Sequence, residues 1–186
     1  MFQYAYILSQ VKSGIIPNIY VQDEKYFENV NDEVKAMFRQ GITPSDRISL
    51  HFRRGDYVGN HYYVDLTETD YYQKAIAKFP NGKFLVFCAD RQGGNDKADR
   101  EWCIDWLKQQ NVHGDFKLWE GRDEIDDFNK MAGCKAHIIA NSSYSWWAAY
   151  VGGERTIAPS QWFANGTRLN YPSNWVMPPE SVSDGR

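Results

Sequence analysis

The sequence predicts an α/β domain with a doubly wound, mainly parallel sheet of the Rossmann type, on three observations. From residue 47 onward, short apolar runs of strand length alternate with longer stretches of helical spacing. Strand, helix and strand in succession imply parallel pairing through right-handed crossovers. Two polar clusters, HFRRGDY and ANSSYSWW, each follow directly on an apolar run. Sheets of this kind bind ligands there, beyond the carboxyl ends of the strands.

In chain order, Phe2 to Val11 reads as a short helix stopped by Ser13-Gly14 and Pro17, and residues 18–46 are polar and weakly patterned. Ile48, Leu50 and Phe52 alternate with Ser49 and His51, so Arg47 to Phe52 reads as a half-buried strand. Further strands are expected at Lys83 to Ala89, Phe116 to Trp119, Ala136 to Ala140 and Thr156 to Ala158. Helices are expected near Asp70 to Phe79, Lys97 to Gln109, Ile125 to Gly133 and Ser143 to Val151. The end of the chain, PPESVSDGR, reads as a loose terminus.

At 186 residues the chain suits one core, and a net charge of −3 gives it no general affinity for nucleic acid. Any anion site must be local. Seven Trp, twelve Tyr and ten Phe serve either a core or flat sugar and base surfaces. Cys88, Cys103 and Cys134 have neither CxxC spacing nor a neighbouring histidine cluster, which predicts reduced thiols and no zinc. No apolar run is long enough to cross a bilayer, and MFQYAYILSQ lacks a basic leader region, so a cytoplasmic protein is expected.

The candidate chemistry lies in the two clusters. Arg53 and Arg54 are adjacent, so in extended chain they point to opposite faces and one of them anchors structure. A guanidinium fork suits the oxygens of a diphosphate, and it equally suits a carboxylate such as Asp56. The Arg54-Gly55-Asp56 tripeptide matches a cell-adhesion motif, but it abuts a buried strand instead of capping a free loop. In the second cluster, Ser142 and Ser143 open a helix directly after a strand, where hydroxyls and free N–H groups either cradle an anion or simply cap the helix. Asn141-Ser142-Ser143 and Asn165-Gly166-Thr167 match glycosylation sequons, which matter only in a secreted chain. His51 is either a site residue or a satisfied core histidine. His61, His113 and His137 are isolated, and metal-binding spacings, P-loops and GxGxxG turns are all absent.

Taken together, HFRRGDY and AHIIANSSYSWWAAY resemble the α-1,2-fucosyltransferase family, with its H-x-R-R-G-D-Y block and its later H-x-I-I-A-N-S-[ST]-[FY]-S-W-W block. MFQYA, Asp70-Tyr71-Tyr72, VFCADRQ, Asp127 ahead of Cys134, and IAPSQWF are similar to further family segments in the same order. VFCADRQ lacks the family's second aspartate, which leaves Asp90 a weaker match than Asp127.

The resemblance implies the donor-binding C-terminal lobe of a two-lobed GT-B glycosyltransferase. Residues 1–46 would be a reduced remnant of the acceptor lobe, 47–178 the GDP-sugar domain and 179–186 a tail. It also implies L-fucose transfer from GDP-fucose to a galactoside hydroxyl, with inversion, an α-1,2 linkage and neither metal nor other cofactor. By the same resemblance His51 and Asp127 contact guanosine and Arg53 or Arg54 the diphosphate, with Asn141, Ser142, Ser143 and Ser145 completing the phosphate pocket. Arg53, Arg54 and Asp56 are the catalytic candidates, and the pattern forces no one catalytic base among Asp56, Asp65, Glu68 and His61, all near in sequence. The short N-terminal part suggests two alternatives: a non-catalytic GDP-sugar-binding domain, or a chain that self-associates or takes the missing lobe from a partner, with Trp162 and Trp175 at the interface.

Overall fold

The computed structural model describes residues 23–88, 96–166 and 168–178. Five strands, β1 (Ser45–His51), β2 (Lys83–Phe87), β3 (Asp115–Leu118), β4 (Cys134–Ile138) and β5 (Arg155–Ile157), form one sheet in the order β3-β2-β1-β4-β5. Every pairing is parallel. The helices are α1 (Asn31–Phe38), α2 (Tyr71–Ile76), α3 (Asp96–Gln109), α4 (Glu124–Ala132) and α5 (Ser143–Gly152). This is the doubly wound, Rossmann-like arrangement, and its strands lie where the alternating sequence pattern places them.

Alternation along β1 divides the core in two. Ile48, Leu50 and Phe52 join Phe84, Val86, Ala136 and Ile138 beneath α2 and α3, through Tyr71, Tyr72, Cys103 and Trp106. Leu85, Phe87 and Ile139 pack on the other face against Phe128 and Met131 of α4 and Trp146 to Val151 of α5. Side chains of period two therefore put one cluster on each side of the sheet.

The helix ends follow from sequence chemistry. Asp123 caps α4, its side chain accepting from the Asp126 amide at 2.8 Å, and acidic residues fill the first turn, where the helix dipole favours them. The chain leaves α5 at Gly153 with φ 77°, a left-handed conformation that glycine adopts without a Cβ clash. Within α5, Ser145 to Val151 are buried all round, because α1 and the preceding turn cover its outer side: Phe27 stacks on Trp147 at 5.5 Å and the Tyr150 hydroxyl donates to Asn31 Oδ1 at 2.7 Å.

Two expectations are corrected here. The weakly patterned stretch before residue 46 contains α1, whose contribution to the core is little more than Val34, with Phe27 and Val30 just ahead of it. Apolar contacts that sparse leave no helical period to read. Trp162 and Trp175, expected at an interface, are buried in the cluster beneath α4 and α5, with Trp175 5.4 Å from Trp146. The expected helix at Phe2 to Val11, Asp90 and residues 179–186 lie outside the described residues. The three cysteines are buried and free, and among the described residues no helix is long and apolar enough to cross a membrane.

Candidate functional site

Strand order reverses at β1. The chain runs from β1 outward through β2 to β3, then returns to place β4 on the other flank of β1. Connections therefore diverge above β1 and β4 and leave a crevice at their carboxyl ends. Both polar clusters open into this region, residues 53–57 following β1 and residues 141–145 following β4. Two tyrosines hold its floor: the Tyr72 hydroxyl donates to the His51 carbonyl at 2.9 Å, and Tyr71 donates to Ile139 and Ile157 carbonyls at 2.6 and 3.0 Å. Buried strand-end carbonyls gain partners in this way, the Ile157 carbonyl also accepting from the Ile139 amide at 3.1 Å.

The two arginines take different partners. Arg54 lies over Trp102, its Cζ 3.6 Å from the ring centroid, and its Nε donates to Asp99 at 3.1 Å, both on α3. With side chains 14% and 15% exposed, this pair fastens the loop to the sheet's α2/α3 face. Arg53 instead pairs with Asp56 at 2.6 Å and lies over Tyr57 at 5.0 Å. Asp56 is 64% exposed, and an ion pair so wet contributes about 0–1 kcal/mol, little enough for a stronger anion to displace it. The Arg53 Nε is buried and has no hydrogen-bond partner.

His51 lies beside Arg53 at the end of β1. Its ring is buried, its Nδ1 also lacks a partner, and it faces Tyr144 in the first turn of α5 at 6.3 Å. Burial, helped by the charge of Arg53, lowers its pKa to about 3, so the ring is neutral at physiological pH. Asp127 lies on α4, where its Oδ1 accepts from the Trp119 indole at 2.9 Å. Gly121 presses against this carboxylate, and a Cβ there would overlap it.

The residues after β4 divide between scaffold and surface. Asn141 is buried and donates through Nδ2 to the Val64 and Trp162 carbonyls at 2.8 and 3.1 Å, clamping two loops together. Ser145 is buried and donates to the Ala140 and Ser142 carbonyls at 3.4 and 3.3 Å. Ser142 occupies the N-cap position of α5 without a side-chain cap bond, and Ser143 is exposed in the first turn. Of this cluster Ser143 is the residue exposed to solvent, while Ser142 is buried and its hydroxyl makes no cap bond.

Sequence reasoning missed several residues here. Tyr57, Thr67 and Tyr72 line a narrow cleft together with Arg53, Arg54, Asp65 and Asn141. Asp99 and Trp102, which hold Arg54, sit in an ordinary amphipathic helix with no signal beyond their charge and ring. No group of His, Cys, Asp and Glu able to hold a metal occurs among the described residues. What the arrangement offers is a cation and a neutral imidazole at the end of β1, with the start of α5 following the neighbouring β4. Such a set binds an anion with phosphate-like oxygens.

The model of glycosyl transferase family 11 matches residues 6–177. The chain belongs to this family. It is 30% identical over 186 aligned residues to an alpha-1,2-colitosyltransferase of Escherichia coli, covering 83% of this chain and 59% of that protein. It is 26% identical to an O-antigen biosynthesis glycosyltransferase of the same organism, over 90% of this chain and 62% of the relative. Rat galactoside alpha-(1,2)-fucosyltransferase 2 is 27% identical over 83% of this chain and 44% of its own length. The family 11 chain therefore spans less than two thirds of these relatives. No solved structure matches it.

Proposed function

We propose that this chain holds the sugar-nucleotide donor of an inverting α-1,2-glycosyltransferase, with GDP-fucose as donor and a galactoside hydroxyl as acceptor. The observation carrying this reading is that Arg53 Nε and His51 Nδ1 are both buried and unpartnered at the end of β1, the strand at the sheet's switch point, with the His51 ring 6.3 Å from Tyr144 in the first turn of α5. The names of the relatives supply the class of chemistry: one moves colitose and another fucose, the latter to a galactoside.

In the proposed reaction the acceptor hydroxyl oxygen attacks the anomeric carbon while its proton passes to a carboxylate, Asp56 once Arg53 has released it. The bond from that carbon to the β-phosphate oxygen breaks, and GDP leaves with the electron pair. Negative charge grows on the departing phosphate. Arg53 exchanges Asp56 for those oxygens, and the uncapped Ser142 and exposed Ser143 hydroxyls with the first amides of α5 add hydrogen bonds. Donors fixed in advance stabilise the charge that develops more than the charge already present. His51 and Asp127 face the nucleoside. Arg54, Asn141 and Ser145 act as positioning residues, since their polar groups hold the two loops in register. No metal or other cofactor is required for these steps.

The chain's partial coverage of its relatives favours a second reading, in which the domain binds GDP-sugar but transfers nothing without further residues from elsewhere. Calorimetric titration with GDP, followed by a GDP-release assay with GDP-fucose and lactose, separates the two. Binding with turnover supports the first reading and binding without turnover the second. Absence of heat at millimolar GDP removes both.

A further inference from the structure

We propose that the chain carries a second small-molecule site, for a zwitterion of amino-acid size, in the cavity between α1 with the turn before it, the C-terminal end of α5 and residues 172–175. It lies apart from the donor crevice. α5 runs about 15 Å from Ser143 at that crevice to Gly152, so the two sites occupy opposite ends of one helix. The cavity has a volume of about 240 Å³, and Glu24, Lys35, Tyr150, Ser173, Asn174 and Trp175 line it.

Its walls carry opposite charges that do not meet. The Lys35 ammonium lies over the Tyr150 ring, 4.3 Å from the centroid, and the Glu24 carboxylate stands by the Tyr150 hydroxyl. Each charge feels the other through space, yet among the described residues no ion pair joins them. Burial pushes the Glu24 carboxyl above its usual range and pulls the Lys35 ammonium below its own. The rings around them are fixed. Tyr150 donates to Asn31 Oδ1 at 2.7 Å and stacks on Trp146 at 4.7 Å, while Trp175 lies 5.4 Å from Trp146 and stacks on Tyr171 at 5.7 Å. A wall ordered beforehand costs less entropy when something binds to it.

Charge and helix geometry select the ligand. α5 ends beside the cavity, at Tyr150 and Gly153, and the C-terminal end of a helix favours positive charge. Arg39 already uses one of its last carbonyls, its Nε donating to Val151 at 2.9 Å. An ammonium placed by Glu24 completes that end, and the carboxylate of the same molecule meets Lys35, Ser173 and Asn174. An anion alone would face Glu24 and the helix end, and a cation alone would face Lys35 and Arg39. A molecule carrying both charges suits both walls, and the volume suits one smaller than a common cofactor.

The test follows the backbone amides of Gly153, Ser173 and Asn174 in the full chain by two-dimensional NMR. L-serine is the probe, with L-glycerate, which has a hydroxyl in place of the ammonium, and ethanolamine, which lacks the carboxylate, as controls. Serine is expected to shift these amides saturably and at least tenfold more tightly than either control. Lys35→Met and Glu24→Gln should each weaken it at least tenfold, and Lys35→Arg should retain it. Absence of serine-dependent shifts overturns the site, and so do shifts that survive both charge-removing substitutions. Equal binding of glycerate or ethanolamine overturns the zwitterion as its ligand. Serine binding in a protein that shows no heat with GDP leaves this site standing and removes the donor reading.

Discussion

Arg53 and Arg54 are neighbours in the chain with opposite circumstances. Arg54 is sandwiched between Trp102 and a carboxylate almost as buried as itself, whereas Arg53 touches a carboxylate largely in water and keeps one buried N–H without a partner. A guanidinium that is fully engaged holds structure together, and one left partly unsatisfied is available to a ligand. Side-chain identity alone does not distinguish them; the partner's exposure does.

The sharpest test of that contrast is activity. Arg53→Ala is expected to lower kcat/KM for GDP-fucose about 100- to 1,000-fold, as loss of one charge-stabilising donor does, while the melting temperature stays within about 2 °C. Equal losses of activity and stability would erase the distinction. Arg54→Ala should act the other way round. Breaking a part-buried pair leaves Asp99 uncompensated, and a loss of about 3 kcal/mol, or roughly 6–12 °C in melting temperature, is expected by differential scanning fluorimetry.

The histidines extend the comparison from rim to interior. His51 at the end of β1 and His137 within β4 are both held neutral by burial, each with its pKa lowered to about 3. Between pH 3 and 6.5 the unfolded chain binds the more protons, so stability rises with pH through that window. It is complete above about pH 6.5 and is lost as the pH falls. Urea titrations from pH 7.5 to 5 should show up to about 1.4 kcal/mol per pH unit for each ring; a flat profile would mean that the rings are solvated.

The smallest effect concerns His137 alone. Its Nδ1 shares a hydrogen bond with Ser49 at 2.8 Å, deep between β1 and β4. Ser49→Ala should cost about 1–2 kcal/mol in urea denaturation by leaving that nitrogen unpaired, with GDP affinity untouched. A matching loss of GDP affinity would place the pair in the binding machinery instead.

Alternation of apolar residues made the sheet legible, because a buried strand must repeat every second residue to serve its two faces. It also showed that Arg53 and Arg54 part company. It could not say which arginine was held, since Asp99 and Trp102 are brought to Arg54 by the packing of α3 and not by any local pattern. Asn141 and Ser145 stand in a motif with Ser142 and Ser143, yet their polar groups turn inward to carbonyls. One-dimensional spacing names the cluster; the hydrogen bonds separate Asn141 and Ser145, which brace it, from Ser142, buried but without a cap bond, and from the exposed Ser143. The α1 segment was hidden for a related reason, as a helix lying over other helices needs few apolar contacts of its own.

The enclosure of α5 constrains how specificity could be re-engineered. Nearly every position from Ser145 to Val151 is packed on all sides, so random libraries in that helix should yield mostly misfolded chains. Diversification of residues 58, 61 and 62, whose side chains stand in solvent while Asn60 and the Ala164 amide pin the backbone, should leave most library members folded. Variation meant to keep the fold would then start at that loop and leave α5 unchanged.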